Sequence, residues 1–414
     1  MKQKLLKILC VAAIPTLAFG EPAVGEKLKA AVARAQTERI AVIAIGDSNQ
    51  RFGGHGYSAA MPKAFATIAP IYASDMVRYR QWTEKDQPER PEAPGVLAKQ
   101  AFHWYIPEGS TGKVGWQGGQ LIIPADHPLD VRGPLRFHFT YGTFETGYTS
   151  FKPVVRRDQA PWTIVASAES PIHPVTRTYG LERLTLDLAA DSSRDYPLQF
   201  MPQNMTDEIA GPFLASQAVA ENTARQTGLA YHTLFAVGGK SLHEMLTFLR
   251  SSGEGKLTTY FTDVRALLNG KKTAVVMICS GLNDRNRKVA SIGPHGVFAS
   301  SSPEGYADNL EGLVDVLTEA WVAAGGTPET LHFAFMPSHV LGDPDDAKLV
   351  SYRTAARTLA AKLPNASLID LPALVPYAEM SANGYYDKGR KTDAHLDRTG
   401  YAAIAAALAA ELKK

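Results

Sequence analysis

Cysteine is nearly absent from this chain: 414 residues carry two, Cys10 and Cys279. Long apolar runs are missing too, since beyond the N-terminus no segment reaches the ~18 continuous apolar residues of a membrane span. Nor is there an excess of one charge. The formal net charge is +2, which leaves no footprint for nucleic acid or anionic lipid. No cluster of Cys and His has metal-ligand spacing, and His232 and His243 stand apart from any such pattern, so neither metal nor cofactor is implied. A Gly-x-Ser-x-Gly elbow is absent, which argues against the α/β-hydrolase class. Internal repeats and low-complexity tracts are also lacking.

What is present begins with an export signal over residues 1–20. Lys2, Lys4 and Lys7 give a basic start, Ile8 to Phe19 an apolar core, and Ala18 and Gly20 small residues before a cut at Glu21. The core is too short to anchor the chain in a bilayer. Removal takes away three lysines and no acid, so the formal charge falls from +2 to −1. Cys10 lacks the small residue that precedes a lipidated cysteine. Cys279 is then left alone, which excludes an intramolecular disulfide despite export, and its place at the end of an apolar run suits a small buried hydrophobe. About 394 residues remain, more than one core usually holds.

Two kinds of pattern divide the chain. Continuous apolar runs predict buried parallel strands at Ile40–Ile45, Leu229–Val237, Lys272–Ile278, Leu331–Met336 and Leu368–Leu371. Helical periodicity separates them, over Pro212–Gln226, Ser241–Leu249, Tyr306–Ala323, Ala347–Leu363 and Thr399–Leu412. The expectation is an α/β fold with a five-stranded parallel sheet covered on both faces. Residues 77–202 break this rhythm. Leu135–Tyr141 and Leu184–Leu188 alternate with period two, and Pro, Gly and Thr are frequent, which predicts an antiparallel β-sandwich. The domain division expected is therefore 21–76 and 203–414 for the α/β part, with 77–202 inserted.

Chemistry-bearing residues gather at the ends of the predicted strands, where open α/β sheets collect their reactive groups. Gly46-Asp47-Ser48 follows the first, Gly239-Lys240-Ser241 the second and Gly281-x-Asn283-Asp284 the third, while Asp393-x-His395 precedes the last helix. Each is also ordinary turn or capping chemistry when taken alone. Residues 235–241 approach a phosphate-binding loop, but the first glycine it requires would fall at Leu234.

Taken together and in this order, the motifs resemble the SGNH (GDSL-like) hydrolase superfamily, over Ile40–Ser74 and Gly211 to the C-terminus. The resemblance implies a three-layer, flavodoxin-like fold. It implies Ser48 as nucleophile, His395 as general base and acid, and Asp393 as the group orienting His395. It assigns the oxyanion hole to the Ser48 and Gly239 backbone N–H groups and the Asn283 amide. The family usually spaces its late pair as Asp-x-x-His; the shorter Asp393-x-His395 matches its acetyl-transferring relatives. Gly400 keeps the family's distance from His395, Asp397 is the lesser candidate for the acid, and Asp47 reads as structural.

In outline the arrangement resembles bacterial peptidoglycan and polysaccharide O-acetylesterases, in which a carbohydrate-binding-like module interrupts the hydrolase. The function expected is a secreted or periplasmic serine esterase that removes O-acetyl groups from an acetylated glycan. Trp116 and Trp162 offer either sugar-stacking faces or sandwich core. The Gly53–Tyr57 loop either lines the acyl pocket or is plain surface. An O-acetyltransferase, a lipase or arylesterase, and a non-catalytic glycan-binding protein are the rival readings.

Overall fold

The structure is a computed structural model. It describes residues 22–51, 56–75, 77–80, 90–92, 104–106, 120–123, 127–143, 152–157, 163–167, 180–193, 198–203, 213–236, 239–251, 256–286, 302–339, 346–386 and 395–414. The expected export signal, Trp116, Trp162, Gly53–His55 and Asp393 lie outside the described residues.

The chain opens with α1 (Glu26–Ala33), β1 (Arg39–Gly46), the single turn α2 (Ser48–Arg51), α3 (Tyr57–Phe65) and β2 (Ile71–Asp75). Strands alone follow: β3 (Val77–Arg80), β4 (Arg90–Glu92), β5 (Trp104–Ile106), β6 (Gln120–Ile123) and β7 (Leu135–Thr143). Next come β8 (Lys152–Arg157), β9 (Thr163–Ser167), β10 (Gly180–Leu188), β11 (Leu198–Gln203) and β12 (Phe213–Asn222). Alternation returns with β13 (Gly228–Ala236), α4 (Leu242–Ser251), α5 (Lys256–Ala266), β14 (Ala274–Ser280) and α6 (Pro303–Ala323). The chain ends with β15 (Leu331–Pro337), α7 (Ala347–Lys362), β16 (Ala366–Leu368), α8 (Leu371–Leu374), α9 (Tyr377–Ala382) and α10 (Arg398–Leu412).

The central sheet runs β2-β13-β1-β14-β15-β16, all parallel. Its apolar runs are continuous because both faces are covered. In β1, Ala41, Ile43 and Ile45 enter one core, packed by α4, α5, α6 and α7. Ile40, Val42 and Ala44 enter the other, under α1, α3 and α10. Side chains of a strand alternate faces, so a strand between two helical layers has no polar side to show.

Three expectations need correction. The parallel sheet has six strands, because Ile71–Asp75 pairs beside β13. The segment 212–226 is not a helix; its centre is β12, hydrogen-bonded antiparallel between β2 and β7. Ala218, Val219 and Ala220 are buried in succession there, so the apolar spacing fits a doubly covered strand as well as a helix. Neighbouring edges decided between them. The last strand ends at Leu368, and Leu371 begins a helical turn behind Asp370 and before Pro372.

The middle of the chain is rich in β-strands, but they belong to two sheets. β7, β10 and β5 join β12 and thereby extend the central sheet, making it mixed and ten-stranded. The other six form a separate antiparallel sheet ordered β4-β3-β6-β11-β8-β9. A sandwich standing by itself is not the arrangement; four of the ten strands between β2 and β13 continue the central sheet. Among the described residues, no helix is long and apolar enough to cross a membrane.

Candidate active site

Gly46 ends β1 because there is no room for anything larger: a Cβ would lie 2.7 Å from Gln50 Cβ and 3.1 Å from Cys279 Cβ. Asp47 is fully buried, and its Oδ1 accepts the Asn49 N–H at 2.9 Å and the Asn49 side-chain amide at 3.2 Å. This turn leaves Ser48 half-buried at the start of α2. His395, 347 residues later, stands at the entry to α10 with Nε2 2.8 Å from Ser48 Oγ. That is hydrogen-bond reach for a nucleophile and its base. Entry to α10 is fixed by Asp397, whose side chain accepts the Gly400 N–H at 2.7 Å as the N-cap.

Gly239 and Asn283 come to the same end of the sheet. Gly239 has φ +76° with nothing within 4 Å of a Cβ position, so backbone conformation rather than crowding favours glycine there. The Asn283 amide donates to Asp47 Oδ2 and to the Lys240 carbonyl, each at 3.2 Å. Asp284, behind it, accepts the Leu242 N–H at 3.0 Å and the Gly281 N–H at 3.2 Å, tying the loop after β14 to the start of α4. Burial raises the Asp47 carboxyl to about 6, against the opposing hydrogen bonds from Asn49 and Asn283. Burial raises Asp284 to about 7, with a smaller contribution from the Asp47 charge.

Other expected residues have structural partners. Ser241 and Glu244 form a capping box on α4, and Leu234 is a core residue of β13. Ser280 Oγ lies 2.9 Å from Tyr306 Oη in the core. Cys279 is buried and free, and burial pushes its thiol up, as for an inert core cysteine. His232 is buried against Asp75 at 2.9 Å. Tyr57 starts α3 in the core. Among the described residues, no three His, Cys, Asp or Glu side chains form a group fit to hold a metal ion.

His339 was not anticipated. It follows β15, where the Ser338 N–H and hydroxyl both donate to the Ser280 carbonyl. It is 3 % exposed, its Nε2 is buried without a partner, and burial with the nearby His395 charge lowers its pKa to about 4. No motif surrounds it in the sequence. Only its place just past a strand end marked it.

The fold has a counterpart among solved structures. A structure titled peptidoglycan O-acetylesterase in action matches 94 % of this chain and 98 % of its own, with TM-score 0.51 and 13 % identity. The chain shares its fold with that structure. A Corynascus carbohydrate esterase family 2 enzyme with a carbohydrate-binding domain matches 75 % of this chain and 98 % of its own, at TM-score 0.28 and 14 % identity. A goat-rumen metagenome lipase matches 44 % of this chain and 79 % of its own, at TM-score 0.30 and 14 % identity. No family model matches the sequence. No curated protein does either.

Proposed function

We propose that the protein is an exported serine esterase that removes acetyl groups from a glycan. The observation that carries this reading is the 2.8 Å contact between His395 Nε2 and Ser48 Oγ at the sheet end that also holds Gly239 and Asn283. Ser48 Oγ attacks the acetyl carbonyl and its proton passes to His395 Nε2. The tetrahedral oxyanion is met by the Ser48 and Gly239 N–H groups and the Asn283 amide. Collapse breaks the bond to the sugar oxygen, which takes the proton from His395 and leaves as an alcohol. Water then attacks the acetyl-serine, giving its proton to His395, and acetate departs with Ser48 restored. Asp393 holds His395 in the required tautomer throughout.

The substrate class rests on the fold shared with a peptidoglycan O-acetylesterase and on the long β-rich segment beside the hydrolase-like part. Residues 1–20 direct export, 21–76 and 203–414 carry the reaction, and 77–202 contact the polymer. The test is acetate release from a panel of O-acetylated glycans, with an aryl acetate as the small-molecule control. Wild type is expected to release acetate from at least one glycan. Ser48→Ala is expected to lose turnover on both substrate types while keeping its circular dichroism. A phosphonate is expected to label Ser48 alone. Near wild-type turnover by Ser48→Ala overturns the mechanism, and activity confined to the aryl acetate overturns the substrate.

A further inference from the structure

Directly beneath Ser48 runs a chain of side-chain hydrogen bonds that the reaction scheme above does not use. The Tyr401 hydroxyl donates to Asn49 Oδ1 at 2.7 Å. The Asn49 amide donates to Asp47 Oδ1 at 3.2 Å, and the Asn283 amide closes on Asp47 Oδ2 and the Lys240 carbonyl at 3.2 Å each. Tyr401, Asn49 and Asp47 are at most 1 % exposed. The members come from separate parts of the chain: the turn after β1, the loop after β14, the loop before α4, and α10, which follows His395.

We propose that Tyr401, Asn49 and Asp47 form, with Asn283, one positioning unit that sets Ser48, the oxyanion donor and the histidine-bearing segment against one another. The proposal rests on the esterase reading. Asp47 is the hub, since one oxygen fixes the backbone beside Ser48 and the other holds the amide that meets the oxyanion. Tyr401 carries the same frame to the first turn of α10, six residues beyond His395. Its ring packs edge-on to Tyr57 with centroids 4.9 Å apart, so the hydroxyl has a fixed direction. A buried polar chain brings little net stability over apolar packing, but a satisfied one specifies a single arrangement. Catalysis needs that here, because a displacement of about 1 Å can cost on the order of 10²-fold in rate.

The amide inventory sharpens the point. Asn283 has two N–H groups, and its amide nitrogen lies 3.2 Å from both Asp47 Oδ2 and the Lys240 carbonyl. The Lys240–Ser241 peptide is held from its other side by Glu244, which accepts the Ser241 N–H at 3.0 Å. The substrate oxyanion therefore meets an amide already aimed by two fixed acceptors, and both contacts are long enough for one to be shared with it.

The test is a double-mutant cycle in the mature protein, using an aryl acetate, with Tyr401→Phe, Asn283→Ala and the pair. Asn49→Ser replaces Tyr401→Phe if the latter does not fold; it removes the amide but keeps the backbone donor to Asp47. Tyr401→Phe is expected to lower kcat on the order of tenfold or more, with KM within about twofold. The double variant is expected to lose less than the product of the single losses, because either change breaks the same unit. An unchanged kcat in Tyr401→Phe, or losses that multiply, overturns the unit. If the wild type also hydrolyses the ester through Ser48, that result leaves the esterase reading standing. A wild type without Ser48-dependent turnover overturns both.

Discussion

Asp393 and Asp397 stand two residues to either side of His395, and only one of them can orient its ring. Asp397 is already committed to capping α10, with its carboxylate on the Gly400 N–H. Asp397→Ala should cost about 1 kcal/mol of stability, read from the urea midpoint, and leave kcat near wild type. Asp393→Asn should lower kcat by on the order of 10² or more with stability unchanged, the penalty of a wrong tautomer. Equal kinetic losses would mean that the acid has been assigned to the wrong residue. His339 offers a second test at this scale. An unfolded histidine protonates near 6.5, whereas His339 in the fold does so only near 4. The unfolded chain therefore binds the extra proton, and stability falls as pH drops from about 6.5 toward 4. His339→Leu should raise the urea midpoint at pH 5 by more than at pH 7.5, where an unpartnered imidazole is exchanged for an apolar group. Asp47 and Asp284 act in the opposite sense, costing stability as pH rises from about 4 through about 7. Both proteins share that term, so the comparison cancels it. The same shift at both pH values would remove His339 from the account.

The elements that the sequence made legible are those with one physical cause. β1, β13, β14 and β15 carry long apolar runs because helices cover both their faces. α6 was legible by its periodicity from Tyr306, but it starts earlier, at Pro303, where the Ser302 side chain caps it by accepting the Gly305 N–H at 3.1 Å. β12 was misread because its identity depends on partners far along the chain, β2 and β7, that local spacing does not reveal. At the site, Ser48, Gly239, Asn283 and His395 lie at strand ends or loops, where their motifs predicted them. Tyr401 and Asn49 were invisible as a pair, since a hydrogen bond across 352 residues leaves no local signature. α4 provides the prediction for this scale. Burial pushes the Glu244 carboxyl up, but the Ser241 N–H, Lys240 and the Ser241 hydroxyl outweigh it and hold the group at about 2. The capping box thus contributes fully above about 4.5 and fades as pH falls toward 2. Ser241→Ala should cost about 1 kcal/mol at pH 7, with less effect at pH 3, in urea melts at the two pH values. A loss that does not depend on pH would separate Ser241 from Glu244.

At the scale of the whole molecule, the question is whether residues 77–202 are a detachable module. The sequence shows a change of rhythm there and so suggests a guest domain, because composition reports what a segment is made of and not which sheet it joins. The pairing argues for integration. Leu135–Thr143 lies along β12, β12 lies along β2, and β2 lies along β13, so one hydrogen-bonded sheet runs from the middle segment to β1. Side chains reinforce the seam. Glu221 on β12 accepts from Arg39 of β1 at 2.7 Å and lies 2.7 Å from His138 Nε2 of β7, with 8 % of its side chain exposed. Asp263 of α5 receives the Thr140 hydroxyl at 3.1 Å and pairs with Arg183. Removing residues 77–202 would strip β7 from β12, uncover the strand edge of Ala218–Ala220, and deprive Glu221 of His138. A bare, flat apolar edge is a template for association. The full chain is therefore expected to unfold in one cooperative transition, followed by fluorescence and far-ultraviolet circular dichroism. A chain in which a short Gly-Ser linker replaces 77–202 is expected to be insoluble or to lack aryl acetate turnover. A soluble excised protein with wild-type melting temperature and turnover would show that the hydrolase-like part closes its own sheet and that the segment is a passenger.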